Sequence, residues 1–374
     1  MKVLHVITGL DAGGAETQLA MLLRHTRHEC DVVTLYNPGP IADQIRADGT
    51  TVRDIGMRSN RDLLALPRLR SLIARGRYDA VHAHLYRSQV YARPAARLAG
   101  TPVVVTTEHS IGETHIERRR MSTGVRGLYL ASELFSDVTI AVSDVVRDRL
   151  VRWGVPARKI TVIPNGLDTA ALAFEPAARA RARAQVGIAP DTFVIGTLGR
   201  LDANKRIGMV IEAVAPLLGD PAGGYGTVLL IVGRGEDMDE LKATAATAGV
   251  ADRVIFAGFQ ADTVAMLSAL DLYVMASAQE TFGLAALEAM ACGLPVLYTT
   301  CPALDGVSTT QARQVAGTAT ALRAAFGAAV AAGPRPRRPD VAVFDRYAIG
   351  ATARRVDDLY ERLWRDRSKR RGRA

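Results

Sequence analysis

Short, β-branched apolar runs alternate with amphipathic stretches along this 374-residue chain, and they do so in two separate series. The first series places candidate strands at 3–8, 31–35, 80–83, 103–107, 138–142 and 160–163, with helical patterns such as 15–24, 62–74 and 144–153 between them. Strands that are apolar almost throughout are buried on both faces. Strands alternating with helices form a parallel sheet covered on each side. The rhythm breaks at Ile163-Pro164-Asn165-Gly166-Leu167-Asp168, which is turn-rich, and an Ala/Arg stretch at 177–184 reads as a solvated helix. A second series begins at 193–198 and continues at 228–232, 254–257, 272–275 and 296–298. A single core seldom grows past about 250–300 residues, so two doubly wound parallel sheets in series, hinged near residue 166, are predicted.

The stretch 345–366 carries Ile349, Val356, Leu359, Tyr360, Leu363 and Trp364 at helical spacing on an otherwise charged helix. An apolar stripe of this kind must dock. It is expected to return to the first domain, giving a first domain of 1–166 plus 346–374 and a second of 167–345, joined by two crossings that permit hinge closure. Beyond residue 366 the chain reads as basic and frayed.

The formal charge of +9 divides into +7 over 1–165, −4 over 166–345 and +6 over 346–374. Arg118, Arg119 and Arg120, with Arg362, Arg365 and Arg367, would extend a positive first-domain face able to meet an anionic membrane. Arginine spread over solvated faces gives the same count. No apolar run approaches the roughly 20 residues of a bilayer span, and the opening residues read as a core strand rather than a signal peptide. Three cysteines, odd in number and without metal-ligand spacing, predict a cytoplasmic, disulfide-free protein.

Three loops carry the chemistry. The first, Gly9 to Glu16, follows the first strand. Its Gly13-Gly14 pair lets backbone approach a ligand, and the following helix N-terminus suits phosphate. It matches neither the Rossmann glycine fingerprint nor a Walker motif. The second, Gly199 to Arg206, follows the first strand of the second series. Arg200 and Lys205 lie where open α/β sheets bind ligands, and together they can neutralise a diphosphate without a metal, while Arg206 reads as solvated. In the third, Glu280-Thr281-Phe282-Gly283-Leu284 leads into a helix bearing Glu288 among Ala285, Ala286, Leu287, Ala289, Met290 and Ala291. A carboxylate on so apolar a helix needs partners or a ligand, and sugar hydroxyls qualify.

All seven histidines fall between His5 and His115. His109, just past a strand end, is the functional candidate. His82 and His84 point the same way from one strand and are acceptor-side candidates. They would bind zinc only with a third ligand, and none is evident, so no metal is expected. His5 reads as a core residue, and His25 and His28 as surface residues.

At these residues the chain resembles the retaining GT-B glycosyltransferases of family 4, over roughly residues 1–300 and the final helix. Gly13-Gly14-Ala15-Glu16, Ile163-Pro164-Asn165-Gly166, Gly199-Arg200 with Lys205, and Glu280 to Glu288 before Ala291-Cys292-Gly293-Leu294-Pro295 fall in the family's order. The resemblance implies two Rossmann-like domains facing a cleft, the final helix crossing back to the first. It implies that Glu288 binds the nucleotide ribose, Glu280 touches donor-sugar hydroxyls, and Arg200 and Lys205 bind the diphosphate. Phe282, Gly283 and Leu284 would add donor contacts, and His109 would lie beside the reacting sugar. After Pro302 the pattern departs from the family, and the last strand–helix unit reads as shortened.

The predicted reaction moves a hexosyl or N-acetylhexosaminyl group from a nucleotide-diphosphate sugar, a UDP-sugar first, to an acceptor hydroxyl, with no cofactor and no metal. Arg200, Lys205 and the helix N-termini would stabilise the departing phosphate. No carboxylate pair of the glycosidase kind is evident. Retention of configuration follows from the resemblance alone. The acceptor, whether lipid-linked, glycan or small molecule, is open, and nucleic acid is not expected as a partner. The rival enzyme reading is a nucleotide-sugar epimerase on a like fold, and the non-enzymatic one is a nucleotide-sugar-binding module.

Overall fold

The computed structural model describes the chain apart from residues 12, 60, 61, 63, 118, 219–225 and 372–374. It divides into two compact units, Met1–Leu167 with Tyr347–Ala374, and Asp168–Arg346.

The first unit is built on a seven-stranded sheet. In sheet order its strands are Thr51–Asp54, Glu29–Thr34, Lys2–Ile7, Ala80–His84, Val103–Glu108, Val138–Ala141 and Ile160–Val162, every pairing parallel. Counted along the chain, the order runs outward from the first strand and then reverses. This places a topological switch point between Lys2–Ile7 and Ala80–His84. Both of the central strands Ala80–His84 and Val103–Glu108 are buried along their whole length, as helices on each face require. The helix Asp144–Trp153 shows how local chemistry sets the boundaries: the Ser143 hydroxyl accepts from the Val146 amide at its start, and Gly154 ends it at φ 105°.

The helix Ile349–Arg371 lies on this sheet. Val356, Leu359 and Tyr360 are buried in one cluster with Val3, Val105 and Ile163. Its first turn sits against the Pro164-Asn165-Gly166 loop, where Gly166 is required: a Cβ there would lie 2.6 Å from the Ile349 Cα. Gln18 closes the loop from the other side, donating to the Gly166 carbonyl at 2.7 Å and accepting from its amide at 2.9 Å.

The second unit repeats the plan with six parallel strands, in the order Val254–Gly258, Thr227–Val232, Phe193–Leu198, Leu272–Met275, Val296–Tyr298 and Ala312–Gln314. Its switch point lies between Phe193–Leu198 and Leu272–Met275. The segment after Pro302 supplies the three-residue edge strand Ala312–Gln314 and the helix Ala319–Ala332, capped by Thr318.

Several expectations are corrected here. The Ala/Arg helix, Pro176–Gln185, is not simply solvated. Ala178 and Ala182 are buried, and Arg179 and Arg183 donate to the Asp271 carboxylate at 2.7 and 2.8 Å. Both also donate to carbonyls at the end of the helix Thr263–Ala269, which are unsatisfied acceptors at the negative end of its dipole. Arginine is not confined to the surface either. Arg93 is fully buried, paired with Glu133 and stacked over Tyr129. His28 is not a surface histidine: the final helix covers its side chain and brings Asp357 within 3.9 Å. Trp364, counted with the buried stripe, stays 41% exposed because the cluster it would join ends at Leu363.

The three cysteines are free. Among the described residues, no helix is long and apolar enough to cross a membrane. Of the basic group, Arg118 lies outside the described residues. Arg119 sits over the Tyr86 ring, Arg120, Arg362 and Arg365 are exposed, and Arg367 pairs with Asp137 at 3.3 Å.

Candidate active site

In the first unit the strand ends at the switch point gather imidazoles. Parallel register sets His5 beside His82 and Ile7 beside His84, so the three side chains share one face. His5 Nδ1 lies 3.0 Å from His84 Nε2, and His84 Nδ1 lies 3.4 Å from His109 Nε2. His82 is held separately, with Nδ1 at 2.5 Å from the Tyr360 hydroxyl and Nε2 at 2.7 Å from Thr107 Oγ1. Burial pushes His5 down to about 3 and His109 to about 4, and it carries His82 and His84 well below the usual histidine range. All four rings are therefore neutral near pH 7. His84 and His109 line a small pocket with Gln18, Thr107, Asn165 and Thr352. The Nδ1 of His109 is buried and has no hydrogen-bond partner among the described residues.

The third imidazole that zinc would need is thus present after all. The nitrogens of His5, His82 and His84 lie within 4.8 Å of one another. A hydrogen bond brings His5 to His84, and parallel register sets His5 beside His82. No carboxylate belongs to the group. His82 and His84 are also more deeply set than acceptor-side groups were expected to be, at 1% and 3% exposure.

Gly13 and Gly14 open the helix Gly14–His25, whose N-cap, Gly13, has no side chain to cap it. A Cβ on Gly13 would meet the Glu16 carboxylate at 2.4 Å, so a side chain there would have to displace it. Ala12 of the same loop lies outside the described residues.

In the second unit the loops that leave Leu198 and Met275 are stitched together. Asn204 donates to the Gln279 carbonyl at 3.0 Å and accepts from its amide at 3.2 Å, while its own carbonyl accepts from Ala278 at 2.7 Å. This seam carries Lys205 to Glu280, Nζ to Oε1 at 2.6 Å. Arg200 is exposed and pairs loosely with Asp202 at 3.3 Å. Arg206 is exposed, with φ 50°. Phe282 is buried. Gly283, at φ 99°, starts the helix Leu284–Ala291 without a side-chain cap, and a Cβ on it would strike Cys301 Sγ at 2.4 Å. One turn on, Glu288 is half-buried, and desolvation alone pushes its carboxyl up to about 7. No ion pair or hydrogen bond from the chain offsets that cost among the described residues.

Sequence reasoning missed Asn204, Gln18 and Tyr360. An Asn four residues past Gly-Arg gives no local sign of what it will bridge, because its partners lie 75 residues away.

A family model described as Glycosyltransferase Family 4 matches residues 12–171, and one described as Glycosyl transferases group 1 matches 178–316. The chain is 30% identical over 322 residues to a D-inositol 3-phosphate glycosyltransferase of Acidothermus cellulolyticus, covering 77% of this chain and 70% of that one. It is 30% identical over 241 residues to the Escherichia coli UDP-Gal:alpha-D-GlcNAc-diphosphoundecaprenol alpha-1,3-galactosyltransferase, covering 63% and 62%. Among solved structures, Anabaena HepE in complex with UDP-glucose superposes with a TM-score of 0.82 at 22% identity, covering 96% of this chain and 99% of that one.

Proposed function

The chain belongs to the GT-B glycosyltransferases that join a family 4 domain to a group 1 domain, and we propose that it moves a sugar from a UDP-sugar to an acceptor hydroxyl, without a metal and with retention. The observation that carries the reading is the half-buried Glu288 carboxyl, unpartnered among the described residues, one turn into a helix whose N-cap is Gly283 and whose approach loop holds the Lys205–Glu280 pair. A desolvated carboxylate beside a helix N-terminus and two cations matches a nucleoside diphosphate: ribose hydroxyls on the carboxylate, phosphates on the amides and cations. Glu288 takes the ribose, Glu280 the donor-sugar hydroxyls, and Arg200 and Lys205 the diphosphate. The starts of the helices after Gly283 and Gly13-Gly14 add amide dipoles, and His109 stands beside the reacting sugar. Uridine is favoured because the Escherichia coli relative and the Anabaena neighbour are both named with UDP-sugars.

The departing phosphate carries the growing negative charge of an oxocarbenium-like transition state. Arg200 and Lys205 stabilise it, and the phosphate itself takes the acceptor proton on the same face, which retains configuration. The acceptor is a hydroxyl compound. The two relatives are named for an inositol phosphate and for a sugar on diphosphoundecaprenol, so a phosphorylated polyol and a lipid-linked sugar are the first two to try.

A thermal-shift screen of UDP, GDP and ADP tests the donor. A ligand at about 100 times its dissociation constant stabilises by roughly 2.7 kcal/mol, so UDP should raise the midpoint most. Glu288→Ala should weaken UDP by about 1.5–3 kcal/mol, the worth of hydrogen bonds to a charged group. Because burial pushes the free carboxyl up to about 7 and ribose binding favours its ionised form, UDP binding near pH 7 should release more protons from the unmodified chain than from the variant. Calorimetry in buffers of different ionisation enthalpy reads this. An unchanged affinity in a folded variant removes Glu288 from the site.

Transfer should also persist in excess EDTA. Loss of turnover rescued by magnesium or manganese would overturn the metal-free reading.

A further inference from the structure

We propose that His5 and His84 are positioning residues that set which ring nitrogen of His109 carries its proton, through a hydrogen-bonded chain of three imidazoles running from the pocket back into the sheet. The proposal rests on the reading of His109 as a group beside the reacting sugar. Its geometry does not, since all of it lies within the first unit.

The hydrogen-bonded chain is His5 Nδ1 to His84 Nε2 at 3.0 Å, then His84 Nδ1 to His109 Nε2 at 3.4 Å, ending at His109 Nδ1, which has no partner among the described residues. A neutral imidazole has one N–H and one lone pair. Two arrangements therefore satisfy both contacts. Either all three rings carry the proton on Nδ1, or all three carry it on Nε2. Any mixture sets two N–H groups, or two lone pairs, against each other in a buried place, where an unmade hydrogen bond is expensive. The tautomer of His109 is thereby tied to that of His5, a residue on the first strand. In the first arrangement the free end, His109 Nδ1, presents a donor, and in the second an acceptor. A sugar hydroxyl can meet either, but only one at a time, so before substrate arrives the polarity of His109 is coupled to that of His5 and His84. His82 stands outside this chain because Tyr360 and Thr107 occupy both its nitrogens.

The test is a long-range ¹H–¹⁵N correlation spectrum of the full chain labelled in its histidine rings, with each ring assigned by single substitution. His5, His84 and His109 should share one tautomer. In His84→Leu, His109 should become a mixture of the two. Differing tautomers among the three rings of the unmodified chain would overturn the proposal, and so would a His109 pattern indifferent to His84→Leu. This readout needs no turnover, so it stands or falls apart from the donor and acceptor assignments.

Where turnover is measured, His5→Leu should lower kcat about tenfold, by analogy with groups that orient a metal-ligating histidine, with little change in KM. His5→Asn, which keeps a hydrogen-bonding amide where Nδ1 stood, should recover most of it. In a His109→Ala background His5→Leu should have no further effect. An equal loss in both backgrounds would mean that His5 serves only the core.

Discussion

Lys205→Ala is expected to lower kcat by roughly 10²–10³, the usual effect of losing one donor aimed at developing charge, while KM changes much less. The lysine sits where this asymmetry should arise. Its ammonium rests on the Glu280 carboxylate at 2.6 Å, with side-chain exposures of 25% and 13%. In the resting chain its charge is already answered, so contact with an intact diphosphate adds little. As the glycosidic bond opens, the phosphate gains charge that Glu280 cannot offset, and the ammonium answers it directly. Interactions that strengthen only in the transition state appear in kcat, whereas uniform binding appears in KM. Lys205→Arg should recover only part of the loss, because a planar fork does not replace a point charge on a short lever. Initial rates over a range of UDP-sugar, with product stereochemistry followed by NMR, supply both constants. Full turnover with only a raised KM would make Lys205 a binding residue and leave charge stabilisation to Arg200.

The α/β class was legible because buried parallel strands leave a strong mark: Val103-Val104-Val105 and Val228-Leu229-Leu230-Ile231-Val232 admit few other readings. Of the strands in the two parallel sheets, two escaped, Thr51–Asp54 and Ala312–Gln314. Both pair on one side only, and only one of their seven side chains is buried, so no run of apolar residues announces them. The site was legible in its loops and opaque in its long-range contacts. Gly283, Glu280 and Glu288 stand together in sequence, and local pattern finds them. The Lys205–Glu280 pair and the Asn204 seam each join residues 75 apart, and His5 meets His84 across 79. Strand register creates those meetings, and a single strand carries no sign of its neighbour's register. His28 and Arg183 were misread for a related reason. Each is polar on a locally amphipathic stretch, and each becomes buried only because another element lies over it. The charged residues were thus the hardest to place, since their burial depends on partners rather than on periodicity.

Ending the chain at Asp345 should unfold the first unit while sparing the second, and it should yield insoluble or protease-sensitive protein. Ile349, Val356, Leu359 and Tyr360 are each no more than 4% exposed. Burying a large apolar side chain is worth roughly 1.5–3 kcal/mol, so these four contribute on the order of 6–12 kcal/mol as an upper estimate. A domain's whole stability is about 5–15 kcal/mol. The loss extends beyond area. Val3, Val105, Ile140 and Ile163 would face water. Tyr360 would leave His82 Nδ1 without its partner, and Asp357 would no longer accept from Thr26 Oγ1 at 2.7 Å or from the Arg27 amide at 3.1 Å. Removing Ser368–Ala374 leaves all of these contacts in place and should not move the melting temperature. The second unit keeps its own core of Phe193, Ile195, Leu229, Val274 and Phe326. Limited proteolysis of the shortened chain should therefore leave a resistant fragment beginning near residue 168, which should still bind UDP if Lys205, Glu280 and Glu288 hold the donor. A stable, active chain without residues 346–374 would show that the final helix is dispensable to the sheet it covers.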